Sequence, residues 1–205
     1  MIIIVDYGMG NLRSILYKLQ KLQLDAAISS KTNDIESADR LILPGVGNFA
    51  EGMKNLEKDS LLTVLNKMVL EKKTPVLGIC LGMQLFAKKS EEGNVEGLGW
   101  IDAEVKKFNF DGLNASLRIP HVGWNTINLK QEHSFLVDGT HEQRFYFTHS
   151  YHMCCYSQDD VVATTHYGYE FVSVVSKNNI FGSQFHPEKS HKSGFEVVRR
   201  FAERT

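Results

Sequence analysis

The sequence has little of what marks a secreted, membrane-inserted or nucleic-acid-binding chain. Three cysteines in 205 residues, Cys80, Cys154 and Cys155, are too few and too uneven for a disulfide framework. None stands in a CxxC or Cys/His spacing suited to a metal, so no metal and a reducing, cytoplasmic setting are expected. Charge of one sign is missing as well, since 23 basic and 24 acidic side chains leave a net charge of −1. No basic footprint for nucleic acid or an anionic membrane results, and neither partner is expected. Long hydrophobic runs do not occur. The opening "MIIIVDYGMGN" is apolar only as far as Asp6 and has no basic n-region or cleavage pattern. It reads as a first strand, not a signal peptide or a span. With no repeat, low-complexity tract or Pro/Gly linker to divide it, the chain is expected to form a single domain over residues 1–205.

What is present is alternation. Ile2–Val5 precedes "GNLRSILYKLQKL", in which Leu12, Ile15, Leu16, Leu19 and Leu22 share one helical stripe. "AAIS" and "DRLILPG" read as the next strands, residues 49–71 as one or two helices, and "PVLGI" as a buried strand. This βαβ rhythm predicts an α/β fold with a mostly parallel central sheet flanked by helices, and ligands at the carboxyl ends of the strands. The second half changes texture: "RFYFTHSYH", "VVATTHYGYEFVSVVSK" and "NIFGSQF" are short aromatic and β-branched runs that predict added antiparallel strands. A last helix is expected over about residues 191–203.

"TPVLGICLGMQLF" holds the first chemical signal. Gly78-Ile79-Cys80-Leu81-Gly82 has the pattern of a nucleophile elbow, with cysteine as nucleophile. A sharp strand-to-helix turn lifts that residue, and a side chain at either flanking glycine would strike neighbouring backbone. The incoming strand is "PVLGI", and "LGMQLFAKK" is the expected outgoing helix, whose N-terminus favours thiolate. The Leu81 backbone N–H is a candidate oxyanion donor. The alternative is that Cys80 is simply a small buried residue.

A thiolate nucleophile needs a proton carrier. In "NIFGSQFHPEKS" an apolar strand delivers His186, and residues two apart in extended backbone share a face, so Glu188 is placed to orient its imidazole. Cys80, His186 and Glu188 thus form a candidate catalytic set. His121, His133, His141, His166 and His191 lie among polar or loop-like residues and are read as surface or structural. His149 and His152, in "FTHSYH", are placed to line a cleft at the end of an aromatic strand. "GMGN" after the first strand is no dinucleotide fingerprint, since Arg13 occupies the third glycine position, and no cofactor is expected.

These residues resemble the class I (triad) glutamine amidotransferases. "GICLGMQLF" is similar to their nucleophile segment, "FHPEKS" to their His-x-Glu segment and "LILPGVGNF" to their oxyanion strand, over essentially the whole chain. The resemblance implies a flavodoxin-like fold and a glutaminase: attack by Cys80 on the carboxamide of L-glutamine, with a thioester hydrolysed through His186. It implies oxyanion donors at Leu81, Val46 and Gly47, and glutamine binding by Gly45, Gln84, Ser150 and Tyr151. "PGVG", "PHVGWN", "YFTHSY" and "HPEKS" are similar to the histidine-biosynthetic branch, whose glutaminase forms a heterodimer with a (β/α)8-barrel cyclase and passes ammonia to it. By position, Asn11, Trp124, Tyr146 and Lys189 then belong to the partner interface. An exposed indole is a common interface anchor; Trp124 as a core residue is the other reading. Two further functions stay open: a paralogous glutaminase supplying sugar amidination in surface-polysaccharide synthesis, and a non-catalytic thiol sensor on the same scaffold.

Overall fold

Four consecutive apolar residues give a strand no polar face, so Ile2–Val5 has to be covered on both sides. In the computed structural model it is, and residues 1–112, 117–133, 136 and 143–204 are described. His141 lies outside the described residues. Ile2 and Ile4 meet Ile15 and Leu19 in one core, whereas Ile3 and Val5 belong to a second core with Leu56 and Leu65.

The first half runs β1 (Ile2–Val5), α1 (Leu12–Lys21), β2 (Ala26–Ser29), α2 (Thr32–Glu36), β3 (Arg40–Leu43), α3 (Phe49–Glu57), α4 (Leu61–Asn66), β4 (Val76–Ile79) and α5 (Leu81–Gln84). Residues 49–71 make two helices because Ser60 adopts a left-handed φ of 62°, which ends one before the other begins. The second half runs β5 (Lys89–Ser90), β6 (Val95–Glu96), β7 (Ala103–Lys107), β8 (His121–Thr126), β9 (Asn128–Leu129), β10 (Arg144–His149), β11 (Tyr151–Cys155), β12 (Val161–Tyr167), β13 (Tyr169–Lys177), β14 (Ile180–Ser183) and α6 (His191–Arg204).

Among the described residues, eight strands form one sheet in the order β2-β1-β3-β4-β14-β13-β12-β9. The run from β2 to β14 is parallel, and from β14 outward the pairing is antiparallel. A four-stranded sheet, β11-β7-β5-β6, and the antiparallel pair β8 and β10 complete the second half. The mostly parallel sheet with added antiparallel strands is therefore present.

One expected element is shorter than the sequence pattern suggests. The helix after Cys80 is a single turn, Leu81–Gln84. The Leu85, Phe86 and Ala87 carbonyls accept instead from the N–H groups of Leu98, Ile101 and Gly99, so a tertiary loop takes the acceptors a longer helix would use. Apolar periodicity does not register that competition.

For the site, the decisive register is β4 against β14. Ile79 pairs with Ser183, and the Cys80 N–H donates to the Ser183 carbonyl at 2.8 Å. The carboxyl ends of two adjacent parallel strands thus deliver residue 80 and the segment leading to His186 to the same place.

Candidate active site

Cys80 has φ 53° and ψ −107°, a backbone conformation that L-residues rarely adopt and that costs about 1–3 kcal/mol unless surrounding structure imposes it. The surroundings do impose it. A Cβ on Gly82 would lie 1.8 Å from the Leu43 carbonyl oxygen, and one on Gly78 would lie 2.6 Å from the Phe86 ring. Both flanking glycines are therefore required by contact, as the elbow pattern implies. With one helical turn behind it, the dipole offers the sulfur less than a full helix would.

His186 follows β14 in extended backbone, and Pro187–Lys189 closes into a 3₁₀ turn. The Glu188 carboxylate reaches back and accepts from His186 Nδ1 at 2.8 Å, with both side chains buried. This fixes the tautomer in which Nε2 faces away from the carboxylate, and Nε2 is buried without a hydrogen-bond partner. Burial by itself pulls the imidazole pKa down; the Cys80 sulfur, and after it Glu188, outweigh burial and raise it to about 10. The arrangement favours the protonated imidazole. Lys18 supports the turn from below: its buried Nζ donates to the Pro187 carbonyl at 3.0 Å and lies 4.2 Å from the Phe195 ring centroid.

A cleft of about 290 Å³ opens above the sulfur, lined by Val46, Gly47, Cys80, Leu81, Gln84, Ser150 and Tyr151 together with Glu92, Pro120, Thr148 and His149. Gly45 lies outside this lining and packs beneath it, since a Cβ there would meet Leu81 and the Tyr7 hydroxyl at 2.7–2.8 Å. The Ser150 carbonyl is taken by the Phe108 N–H, and the Tyr151 carbonyl by Gln84 Nε2 and His149 Nδ1 at 2.8 Å each. On the opposite wall, the Leu81 N–H donates to the Gly45 carbonyl at 3.4 Å. A trans peptide holds its C=O and N–H in opposite directions, so with the Gly45 oxygen turned toward Leu81 the Val46 N–H points away from that spot.

A family model described as glutamine amidotransferase class-I matches residues 3–204. The chain belongs to the class-I glutamine amidotransferase family. It is similar to "Imidazole glycerol phosphate synthase subunit HisH 2" of Methanococcus maripaludis, 47% identical over 98% of each chain. It is 45% identical to "Imidazole glycerol phosphate synthase subunit HisH" of Leptospira interrogans, over 98% of this chain and 99% of that one. A similar HisH 2 of Pseudomonas aeruginosa is 43% identical over 99% of both. Among solved structures, a glutamine amidotransferase superposes with a TM-score of 0.75 at 21% identity, over 98% of this chain and 97% of that one. That likeness bears on the fold, and the α/β architecture of this amidotransferase agrees with it.

Other residues of the amidotransferase singled out in the sequence fall into two places. Trp124 is 39% exposed. Its indole stacks on the His191 ring at 5.0 Å and meets the Tyr146 ring edge-on, while Lys189 Nζ lies over Tyr146 at 5.6 Å. Asn11 is apart from this cluster in sequence and element, as the exposed N-cap of α1. His121, read as surface or structural, takes a structural place, though on a strand and not in a loop. It is buried on β8 and joins His149 ring to ring, Nδ1 to Nε2 at 3.1 Å. His149 lines the cleft, whereas His152 turns toward the Tyr169 hydroxyl at 2.9 Å.

Sequence reasoning missed Glu92, Thr148, Lys18, Tyr7 and Gln184. Tyr7 is buried beneath the Pro44–Gly45 segment with its hydroxyl donating to the Pro44 carbonyl at 2.5 Å, and burial raises its phenol pKa. Gln184 was within reach of the rule used for Glu188. It precedes His186 by two positions on the same strand end.

Proposed function

We infer that this chain is the glutaminase subunit of imidazole glycerol phosphate synthase, hydrolysing L-glutamine to glutamate and ammonia for use by a cyclase partner. One observation carries the chemistry: a strained cysteine and a carboxylate-held histidine at adjacent strand ends, in a chain 43–47% identical along nearly its whole length to HisH subunits. No observation favours the sugar-amidating or thiol-sensing alternatives.

In this reading Cys80 Sγ attacks the carboxamide carbon, and the carbonyl π electrons move onto oxygen. The tetrahedral intermediate collapses with the C–N bond breaking and His186 Nε2 donating a proton to the departing nitrogen, so ammonia and a glutamyl thioester form. His186 then takes a proton from water, whose oxygen attacks the thioester carbon; the C–S bond breaks and glutamate leaves. Glu188 holds the imidazole throughout. Glu92 supplies a carboxylate in the cleft lining for the α-ammonium of an amino acid, while Gln84 and the backbone at Ser150 and Tyr151 border the remainder.

Oxyanion stabilisation requires donors where the Gly45 carbonyl now sits. Rotation of the Gly45–Val46 peptide removes that oxygen, frees the Leu81 N–H and brings the Val46 N–H to the same point. Gly47, with φ 119°, gives the segment freedom to turn, and its own N–H is an adjacent donor. The isolated subunit is therefore in a resting state that its partner and acceptor relieve.

The partner of this reading is a (β/α)8-barrel cyclase in a heterodimer, engaging the face that carries Trp124, Tyr146 and Lys189, with Asn11 on its periphery. Direct discharge into a partner keeps ammonia from being protonated in bulk water. The working compartment is the cytoplasm. Among the described residues no helix is long and apolar enough to cross a membrane.

The test is glutamate release by this chain mixed with the cyclase subunit of its own genome, with and without the phosphoribulosyl-formimino acceptor. Strong stimulation by the acceptor, abolished by Cys80→Ala, is expected. Silence with that cyclase, in a preparation whose Cys80 still alkylates, would overturn the pathway assignment and leave the glutaminase chemistry standing.

A further inference from the structure

A buried amide chain runs behind the cleft and ends on the nucleophile. Gln184 is fully buried just beyond β14. Its Nε2 lies 3.6 Å from Cys80 Sγ, and its Oε1 accepts from Gln84 Nε2 at 3.0 Å. Gln84 Nε2 donates in turn to the Tyr151 carbonyl at 2.8 Å. The sulfur is also 3.9 Å from the Thr148 carbonyl oxygen.

Nitrogen and oxygen of a side-chain amide are told apart by their partners, and here a single fixed acceptor decides both residues. The Tyr151 carbonyl only accepts, so the Gln84 group facing it is the NH₂. The Gln184 atom facing that same NH₂ must accept and is the oxygen. Gln184 nitrogen is then left against the sulfur. The reverse assignment would set NH₂ against NH₂ and turn a carbonyl oxygen toward the sulfur lone pairs.

We propose that Gln184 is a catalytic residue of this site: its buried amide donates to Cys80 Sγ, stabilises the sulfur as an anion, and ties it through Gln84 to the cleft wall at Tyr151. The proposal rests on the reading of Cys80 as the nucleophile. It complements His186, whose donation to sulfur depends on its protonation state, because an amide does not titrate and offers its hydrogen at every pH. Burial makes the contact matter, since a hydrogen bond to an anion shielded from water is stronger than one in solvent. It also leaves Gln84 Oε1 as the group available to a ligand.

The experiment is the pH dependence of Cys80 alkylation by iodoacetamide in the full chain, read on the Cys80 peptide by mass spectrometry so that Cys154 and Cys155 do not contribute. Gln184→Glu keeps the side-chain shape and the bond from Gln84 but turns an acceptor toward sulfur. Its carboxyl ionises before the thiol, which must then lose its proton beside a negative charge. The acid limb is expected to move up by about one pH unit or more, with alkylation at pH 7 slowed about tenfold. Gln184→Met, which removes the donor without adding charge, is expected to move it less. A merely structural role would give uniformly altered rates with an unmoved limb, and a larger loss in Gln184→Met, where Gln84 also loses its partner. An unmoved limb in Gln184→Glu overturns the proposal. Should neither variant melt cooperatively, the Gln184 side-chain amide resonances of the unaltered chain decide: they are expected to shift along the Cys80 limb, and resonances that ignore it overturn the proposal. If Cys80 of the unaltered chain titrates near the ordinary thiol value of about 8.5 and His186→Asn changes nothing, the nucleophile reading itself fails. A low limb in the unaltered chain, unshifted by Gln184→Glu, sinks the Gln184 role alone.

Discussion

Gly82 illustrates how much a single residue decides. Its missing Cβ is what lets the Leu43 carbonyl pass under the elbow, and no flexible side chain stands there to yield. Gly82→Ala is expected to cost more than about 3 kcal/mol in urea unfolding, a loss in the range of severe core overpacking. At the same scale, His121 and His149 are buried as neutral rings. The His121 pKa is pushed down to about 4 by burial and that of His149 falls well below the usual value, also mainly through burial. Unfolded, both take up protons near pH 6.5, so their contribution to stability is complete above that pH and is lost as pH falls toward 4. His186, raised in the folded protein, is protonated in both states once the pH is well below 6.5, so it opposes the effect only at the upper edge of this window. The melting temperature is expected to drop by about 5 °C or more between pH 6.5 and 4.5. His121→Gln, which does not titrate, is expected to flatten that fall; an equal slope in the variant would contradict the assignment.

At the scale of elements, the His186–Glu188 turn is held between two helices. Lys18 on α1 reaches the Pro187 and His191 carbonyls, and α6 approaches so closely that a Cβ on Gly194 would lie 1.9 Å from the Pro187 oxygen. Lys18→Met removes a charged donor from the Pro187 carbonyl, which keeps only the Ser190 N–H at 3.1 Å, and is expected to cost about 1–2 kcal/mol of stability by urea unfolding. The loosened turn is expected to lower kcat of the complex severalfold with KM little changed; a change confined to KM would show that Lys18 acts elsewhere. Elements were legible in proportion to how local their causes are. α1 was readable because Ile15 and Leu19 mark its buried stripe in sequence. The early end of α5 was not, because its cause is the 97–101 segment, whose N–H groups claim the helix acceptors from a distance.

At the scale of the whole molecule, the Leu81 N–H is occupied by the Gly45 carbonyl, which in the proposed reading closes the oxyanion position. The isolated chain is therefore expected to alkylate at Cys80 while turning over glutamine slowly, and to be accelerated by the cyclase with its acceptor. Rapid turnover by the purified chain alone would contradict a closed resting state. Trp124 is stacked on His191 and edge-on to Tyr146, contacts that limit the side-chain freedom it would give up on binding. Trp124→Ala is expected to weaken the heterodimer by about tenfold or more in titration calorimetry, as an aromatic anchor would; unchanged affinity would move the interface elsewhere.

By itself the sequence determined the parallel α/β rhythm, the elbow around Cys80 and the His186–Glu188 pair, because each depends on neighbours within a few residues: both faces of a strand covered, glycines flanking a turn, a carboxylate two positions from an imidazole. Only the tertiary structure decided which groups surround the sulfur. Gln184 is 104 residues from Cys80, Lys18 is 169 from Pro187, and the Gly45 carbonyl meets Leu81 across β3 and β4. Those contacts follow from the register of β14 against β4 and from helices folding back over strand ends, and no local pattern of residue types records the register of strands so far apart in the chain.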